Sequence, residues 1–181
     1  MNIEDILKLV YQYYPKDISL DDADGYDWSI EFKNRIKKCD DARMNDSNWL
    51  LFKVNLSKYA ENEYELYDYS ILGSTPCYSA TMSFGERQVK NAGLISVLIS
   101  VIAPVWAFRI IDFDQPDKVR YQAIYENEKK TAEVIQSLIA KYFPDHQFIE
   151  EGIHQIVVPD ISTAFKPAPT VFEAIFKEDL N

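Results

Sequence analysis

The chain has 181 residues, is 47% hydrophobic and 14% aromatic, and carries 29 acids against 19 bases for a net charge of −10. That composition excludes a disordered chain, and the charge disfavours a nucleic-acid partner. The charge runs −5 over residues 1–28, +3 over 29–60 and −8 over the rest, so a macromolecular partner is expected to be basic. A chain of this length fits one domain spanning 1–181 and can bury roughly 70% of its unfolded surface. Its first residues lack the basic region and apolar run of a signal peptide, which makes a cytoplasmic protein the expectation.

The opening third reads as helical. Ile3, Ile6, Leu7, Val10, Tyr13 and Tyr14 form an apolar face over residues 3–14, with Asn2 as cap and Pro15 as stop. Residues 16–27 read as an acidic loop. Setting Gly25 on the invariant glycine of an EF-hand puts Asp22, Asp24 and Glu31 on ligand positions. The first ligand would then be Leu20, so the loop reads as solvated and no metal is expected. A second helix over 29–44 turns Phe32, Ile36 and Cys39 inward and Lys33, Arg35, Lys37 and Lys38 toward water. After the break at 45–48, a third helix over 49–59 carries Trp49, Phe52, Lys53, Leu56 and Tyr59 along one side.

Extended structure begins over 64–72, and a second strand follows over 77–84. There Tyr78, Ala80, Met82 and Phe84 alternate with Cys77, Ser79, Thr81 and Ser83, the hydroxyl side being wet or half-wet. The most apolar stretch, 93–108, has no charge between Lys90 and Arg109. It is too short and too interrupted by Ser96, Ser100 and Pro104 for a membrane span. Its alternation predicts a strand, a turn at Pro104 and a second strand with Trp106, Phe108 and Ile110 on one face. Short connections make an antiparallel meander the simplest pairing.

A loop with Asp112, Asp114, Pro116 and Asp117 then leads to a helix over 127–143, striped by Thr131, Val134, Ile135, Leu138, Ile139 and Tyr142. Residues 147–158 read as a hairpin turning at 150–152, and residues 160–168 as an irregular surface segment. Thr170 and Glu173 match a capping box that opens a last short helix. The fold class expected is α+β: N-terminal helices, then a mainly antiparallel sheet of about five or six strands with the 127–143 helix on one face.

Chemistry is sparse. Cys39 and Cys77 fit as buried thiols. His146 and His154, placed on adjacent strands of the hairpin, would offer with Asp145 or Glu150 a metal site unsupported by any spacing motif. There is no nucleophile elbow, and residues 85–93 lack phosphate-loop spacing. No catalytic residue and no cofactor are expected. Tyrosines and acids interleave over 59–69, a composition suited either to an interface or to a soluble edge strand.

Three stretches carry a resemblance: 29–51 as a charged helix pair before the sheet, 98–106 as strand, proline turn and aromatic strand, and 158–176 as a proline-rich tail before a short helix. Together they resemble the small α+β immunity proteins that neutralise bacterial polymorphic or contact-dependent toxins. The resemblance implies an acidic, non-catalytic protein that occludes a toxin's active site. The contacts expected for such a basic partner are Glu61, Glu63, Tyr67, Tyr69, Asp112, Asp114 and Asp117. The rival expectation is an enzyme or small-molecule binder with a pocket over the Ser79/Thr81/Ser83 face, and a third is a self-associating domain.

Overall fold

The computed structural model describes residues 2–19, 21–60, 66–72, 75–84, 92–163 and 167–176. Helix α1 (Ile3–Val10) is capped by Asn2, whose side chain accepts from the Asp5 N–H at 2.9 Å. The helix ends a turn before Pro15, which disfavours helical geometry at the residue ahead of it. The acidic loop holds an unforeseen short helix, α2 (Ala23–Trp28), whose cap is Asp22 accepting from the Gly25 N–H. Ser29 caps α3 (Ile30–Met44) in the same way through the Phe32 N–H. Helix α4 (Ser47–Ala60) buries Trp49, Phe52 and Leu56.

The strands are β1 (Leu66–Asp68), β2 (Cys77–Phe84), β3 (Gly93–Ser100), β4 (Val105–Asp112) and β5 (Gln115–Arg120). They lie in the order β1-β2-β3-β4-β5, every neighbouring pair antiparallel, which is the expected meander. The uncharged run is the β3–β4 hairpin. Its turn is held by the Ser100 hydroxyl, which accepts from the Ile102 and Ala103 N–H groups.

Both faces of the sheet are covered near its centre. Helices α4 and α5 (Glu126–Tyr142) lie over the face bearing Tyr78, Met82, Ile95, Val97, Ile99, Trp106 and Ile110. On the other face, α1, Ile149, Val158, Ile161 and α7 (Val171–Ile175) close over Cys77, Leu98, Val105 and Ala107. The protein is therefore α+β, with a mainly antiparallel sheet and a long helix packed beside it.

Four expectations are corrected. Residues 115–120 are not loop but strand β5, paired with β4 through a register shift at Ile111/Asp112. Residues 147–158 are not a hairpin: β6 (Gln147–Phe148) runs parallel to β4, and α6 (Glu151–His154) follows. The cause is tertiary, since Phe148 packs on Trp106 and Phe108 with ring centroids 4.8 and 5.3 Å apart. Ile161, Ser162 and Thr163 are buried rather than lying on the surface. Arg35 is buried too, its guanidinium 4.6 Å over the Tyr14 ring and 5.2 Å over Phe32. A delocalised, weakly hydrated cation tolerates that ring-lined setting.

Several tyrosines act as internal struts. Tyr14, Tyr26 and Tyr78 are buried, and each donates its hydroxyl to a main-chain carbonyl: Ala174, Ser162 and Ala42 respectively. Two of these bonds tie the N-terminal segment, at the turn after α1 and at α2, to the C-terminal segment.

Candidate interaction surface

Strand β1 is one edge of the sheet. Asp68 turns toward α4, where Lys53 donates to it at 2.5 Å, and Ser70 donates to its other oxygen. These bonds outweigh desolvation and hold the Asp68 carboxyl below its usual range. Tyr67, opposite Thr81 in the register, faces the other way. Tyr67, Tyr69 and Ile71 are 47%, 52% and 64% exposed, and the two tyrosine rings lie 6.2 Å apart. Glu61 and Glu63 lie outside the described residues.

The expected aspartates sit elsewhere. Asp114 is in the β4–β5 turn and Asp117 is on β5, both exposed. With four strand steps of about 4.8 Å between β1 and β5, roughly 19 Å of sheet separates them from the tyrosines. They belong to two opposite edges, so the residues read from sequence do not gather into one small patch.

Asp112 is not free to meet a partner. Arg120 grips it through Nε at 3.2 Å and Nη2 at 2.7 Å. The same guanidinium reaches Glu128 through Nη1 at 3.1 Å and Nη2 at 2.5 Å. The Glu128 side chain is fully buried and also accepts from the Ile124 and Tyr125 N–H groups at the start of α5. Burial alone would raise the Glu128 pKa, but Arg120 and the two main-chain donors hold it low, and the Arg120 pKa is raised in turn. This cluster fastens the β4–β5 hairpin to α5.

The hydroxyl face expected to floor a pocket is largely engaged. Ser79 is buried, and Thr81 and Ser96 share a 2.7 Å hydrogen bond across β2 and β3. A cleft of about 520 Å³ opens instead at the β3–β4 turn, with Tyr78, Ser100, Lys38, Asp41, Asp145 and His146 among its lining. His146 meets the Ser100 carbonyl through Nε2 at 3.0 Å, and burial, opposed by that carbonyl, lowers its pKa.

The two histidines are apart. His154 is buried on α6 between the Tyr121 and Phe172 rings, at centroid distances of 4.6 and 5.1 Å. Among the described residues no group of three or more His, Cys, Asp or Glu side chains is gathered for a metal, and no helix is long and apolar enough to cross a membrane. Both cysteines are buried thiols, and they are not joined in a disulfide.

One exposed feature escaped the sequence reading. Trp28 and Ile30, at the α2–α3 corner, are 72% and 65% exposed. The signal was present in the acids around them, but only the inward turn of Tyr26 fixes which way the indole points. Comparison with protein-family models, curated proteins and solved structures finds no match to the chain.

Proposed function

We propose that the chain is a non-catalytic binding domain for a basic protein, docked through acidic and aromatic surface. The observation that carries this reading is the exposure of Tyr67 on the edge strand β1 together with Tyr69 and Ile71 in the segment that follows it. Tyrosine is enriched at interfaces because one ring supplies apolar area and a polar tip, and an open edge offers main-chain groups to a partner. A net charge of −10 speeds encounter with a cationic surface and weakens with salt. The resemblance to immunity proteins gives that partner a class: a toxin domain whose active site the protein covers.

The test is affinity capture with the full chain from its native host, followed by identification of a stoichiometric basic partner. The Tyr67→Ala/Tyr69→Ala double variant should lose most of that partner. The Asp114→Lys/Asp117→Lys variant should lower the association rate and flatten its salt dependence. Unchanged capture by both variants would remove these two edges from the reading. A partner that is acidic or neutral would remove the electrostatic part of it.

A further inference from the structure

Between Lys16 and Lys33 the chain carries Asp17, Asp21, Asp22, Asp24, Asp27 and Glu31 and no base. The five aspartates are exposed, and none makes an ion pair among the described residues. Acids without internal counter-ions are common on solvated loops. What sets this segment apart is the aromatic side chain fixed in its midst.

The placement follows from α2. Tyr26 is buried, packs its ring tilted against Phe32 with centroids 5.4 Å apart and donates to the Ser162 carbonyl at 2.9 Å, which locks the inward side of the helix. Two residues on, about 200° around the helix, Trp28 must point outward. Asp24 lies one turn earlier on the same face, and Asp27 precedes Trp28 directly. Ser29 then caps α3, and Ile30, its first residue, is exposed as well. Lys33 sets its Nζ 4.6 Å over the Trp28 ring, so this indole already receives a cation from its own chain.

We propose that the α2–α3 corner docks a basic polypeptide, which lays an arginine side chain on the Trp28 indole and pairs its guanidinium with Asp24 and Asp27. The proposal rests on the reading of a basic partner and adds where and by what group that partner is recognised. Arginine suits the corner better than lysine because its planar cation stacks on a ring while bonding carboxylates at its edge. Lys33 is the internal competitor for the ring.

The experiment titrates the full chain with octaarginine at low salt, with octalysine and octaglutamate as comparators. Isothermal calorimetry gives the affinity of every variant, and in chains that keep Trp28 the burial of Trp49 and Trp106 lets emission changes report that indole as well. Octaarginine should quench Trp28 and bind more tightly than octalysine. Trp28→Ala, a surface change that should leave the circular dichroism spectrum intact, should weaken octaarginine binding about 2- to 5-fold, the worth of a cation on an exposed ring. Asp24→Asn/Asp27→Asn should weaken it further, and Lys33→Ala should tighten it.

If Trp28→Ala and Asp24→Asn/Asp27→Asn leave octaarginine affinity unchanged while Tyr67→Ala/Tyr69→Ala lowers it, the corner is excluded and the basic-partner reading stands. If octaarginine binds no better than octaglutamate, both readings fall. Dimerisation abolished by Trp28→Ala would give the corner to a second copy and overturn the proposal.

Discussion

Arg120 and Glu128 face each other with both guanidinium Nη atoms on both carboxylate oxygens, at 3.1 and 2.5 Å, and the carboxylate is fully buried. A buried carboxylate needs that pairing, because the desolvation cost of an unpartnered charge amounts to several kcal/mol. Arg120→Met should therefore destabilise the protein by about 3 kcal/mol, at the low end of the usual range because the Ile124 and Tyr125 N–H groups still hold Glu128. Adding Glu128→Gln should restore part of the loss, since the fully buried charge is then gone and only the less deeply buried Asp112 lacks its partner. Urea unfolding of the single and double variants measures both effects. Equal, additive losses would mean that the pair is not a coupled unit.

Gly93 begins β3 opposite Asp112, and a Cβ there would overlap the Ile111 carbonyl oxygen and crowd the Phe84 ring. The carbonyl is main chain in a paired strand and cannot swing aside. Gly93→Ala should cost about 1–3 kcal/mol, the usual penalty for forcing a group into a packed site. The urea midpoint should fall without a change in slope. An unchanged midpoint would show that the β3–β4 pair opens there at no cost.

Strand β2 has the bounds the alternation predicts, and the capping box at Thr170 and Glu173 opens α7 as its spacing requires. Both are local signals, carried by neighbours along the chain. The parallel strand β6 is different: Gln147 and Phe148 pair with β4 because Trp106 and Phe108 offer Phe148 an aromatic bed, and no window of sequence around 147–152 contains that information. Arg35 is hidden for the same reason, its charge reading as surface until Tyr14 and Phe32 are seen beside it. On the candidate surface, the exposure of Tyr67 and Tyr69 was legible as edge-strand composition. That Asp114 and Asp117 stand at the opposite edge depends on strand order, and Asp112 was indistinguishable from them until Arg120 was seen to hold it.

Tyr14, in the turn that follows α1, reaches the last helix through its hydroxyl, which donates to the Ala174 carbonyl at 2.8 Å in a fully buried setting. Tyr14→Phe keeps the ring beneath Arg35 and removes the donor, stranding a buried acceptor. The expected cost is about 1–2 kcal/mol. Hydrogen exchange should localise it, with faster exchange in α1 and α7 and little change in β2 and β3. Uniform acceleration across the sheet would argue that the two ends are not separately anchored.

His154 makes the stability of the protein sensitive to mild acid. Its ring is buried between Tyr121 and Phe172, neither nitrogen has a hydrogen-bond partner of good geometry, and burial, opposed by the Ile149 main chain, pushes its pKa down to about 4. An unfolded histidine titrates near 6.5, so as pH falls below that value the unfolded chain takes up a proton that the native protein refuses. Stability is thus complete above about pH 6.5 and declines toward pH 4, by about 3 kcal/mol for this one group. His146, whose pKa is also lowered, adds in the same direction. The depressed carboxyls of Asp68, Glu128 and Asp160 lose their contribution only as pH falls below their unfolded values, about 4, so their effect comes later in the titration. His154→Met, similar in volume and without ring nitrogens, should hold its neutral stability and lose most of the decline between pH 6.5 and 4.5. Denaturant midpoints of the two proteins at pH 7 and pH 5 decide the matter: a gap in pH dependence is expected, and parallel losses in both proteins would assign the acid sensitivity to other groups.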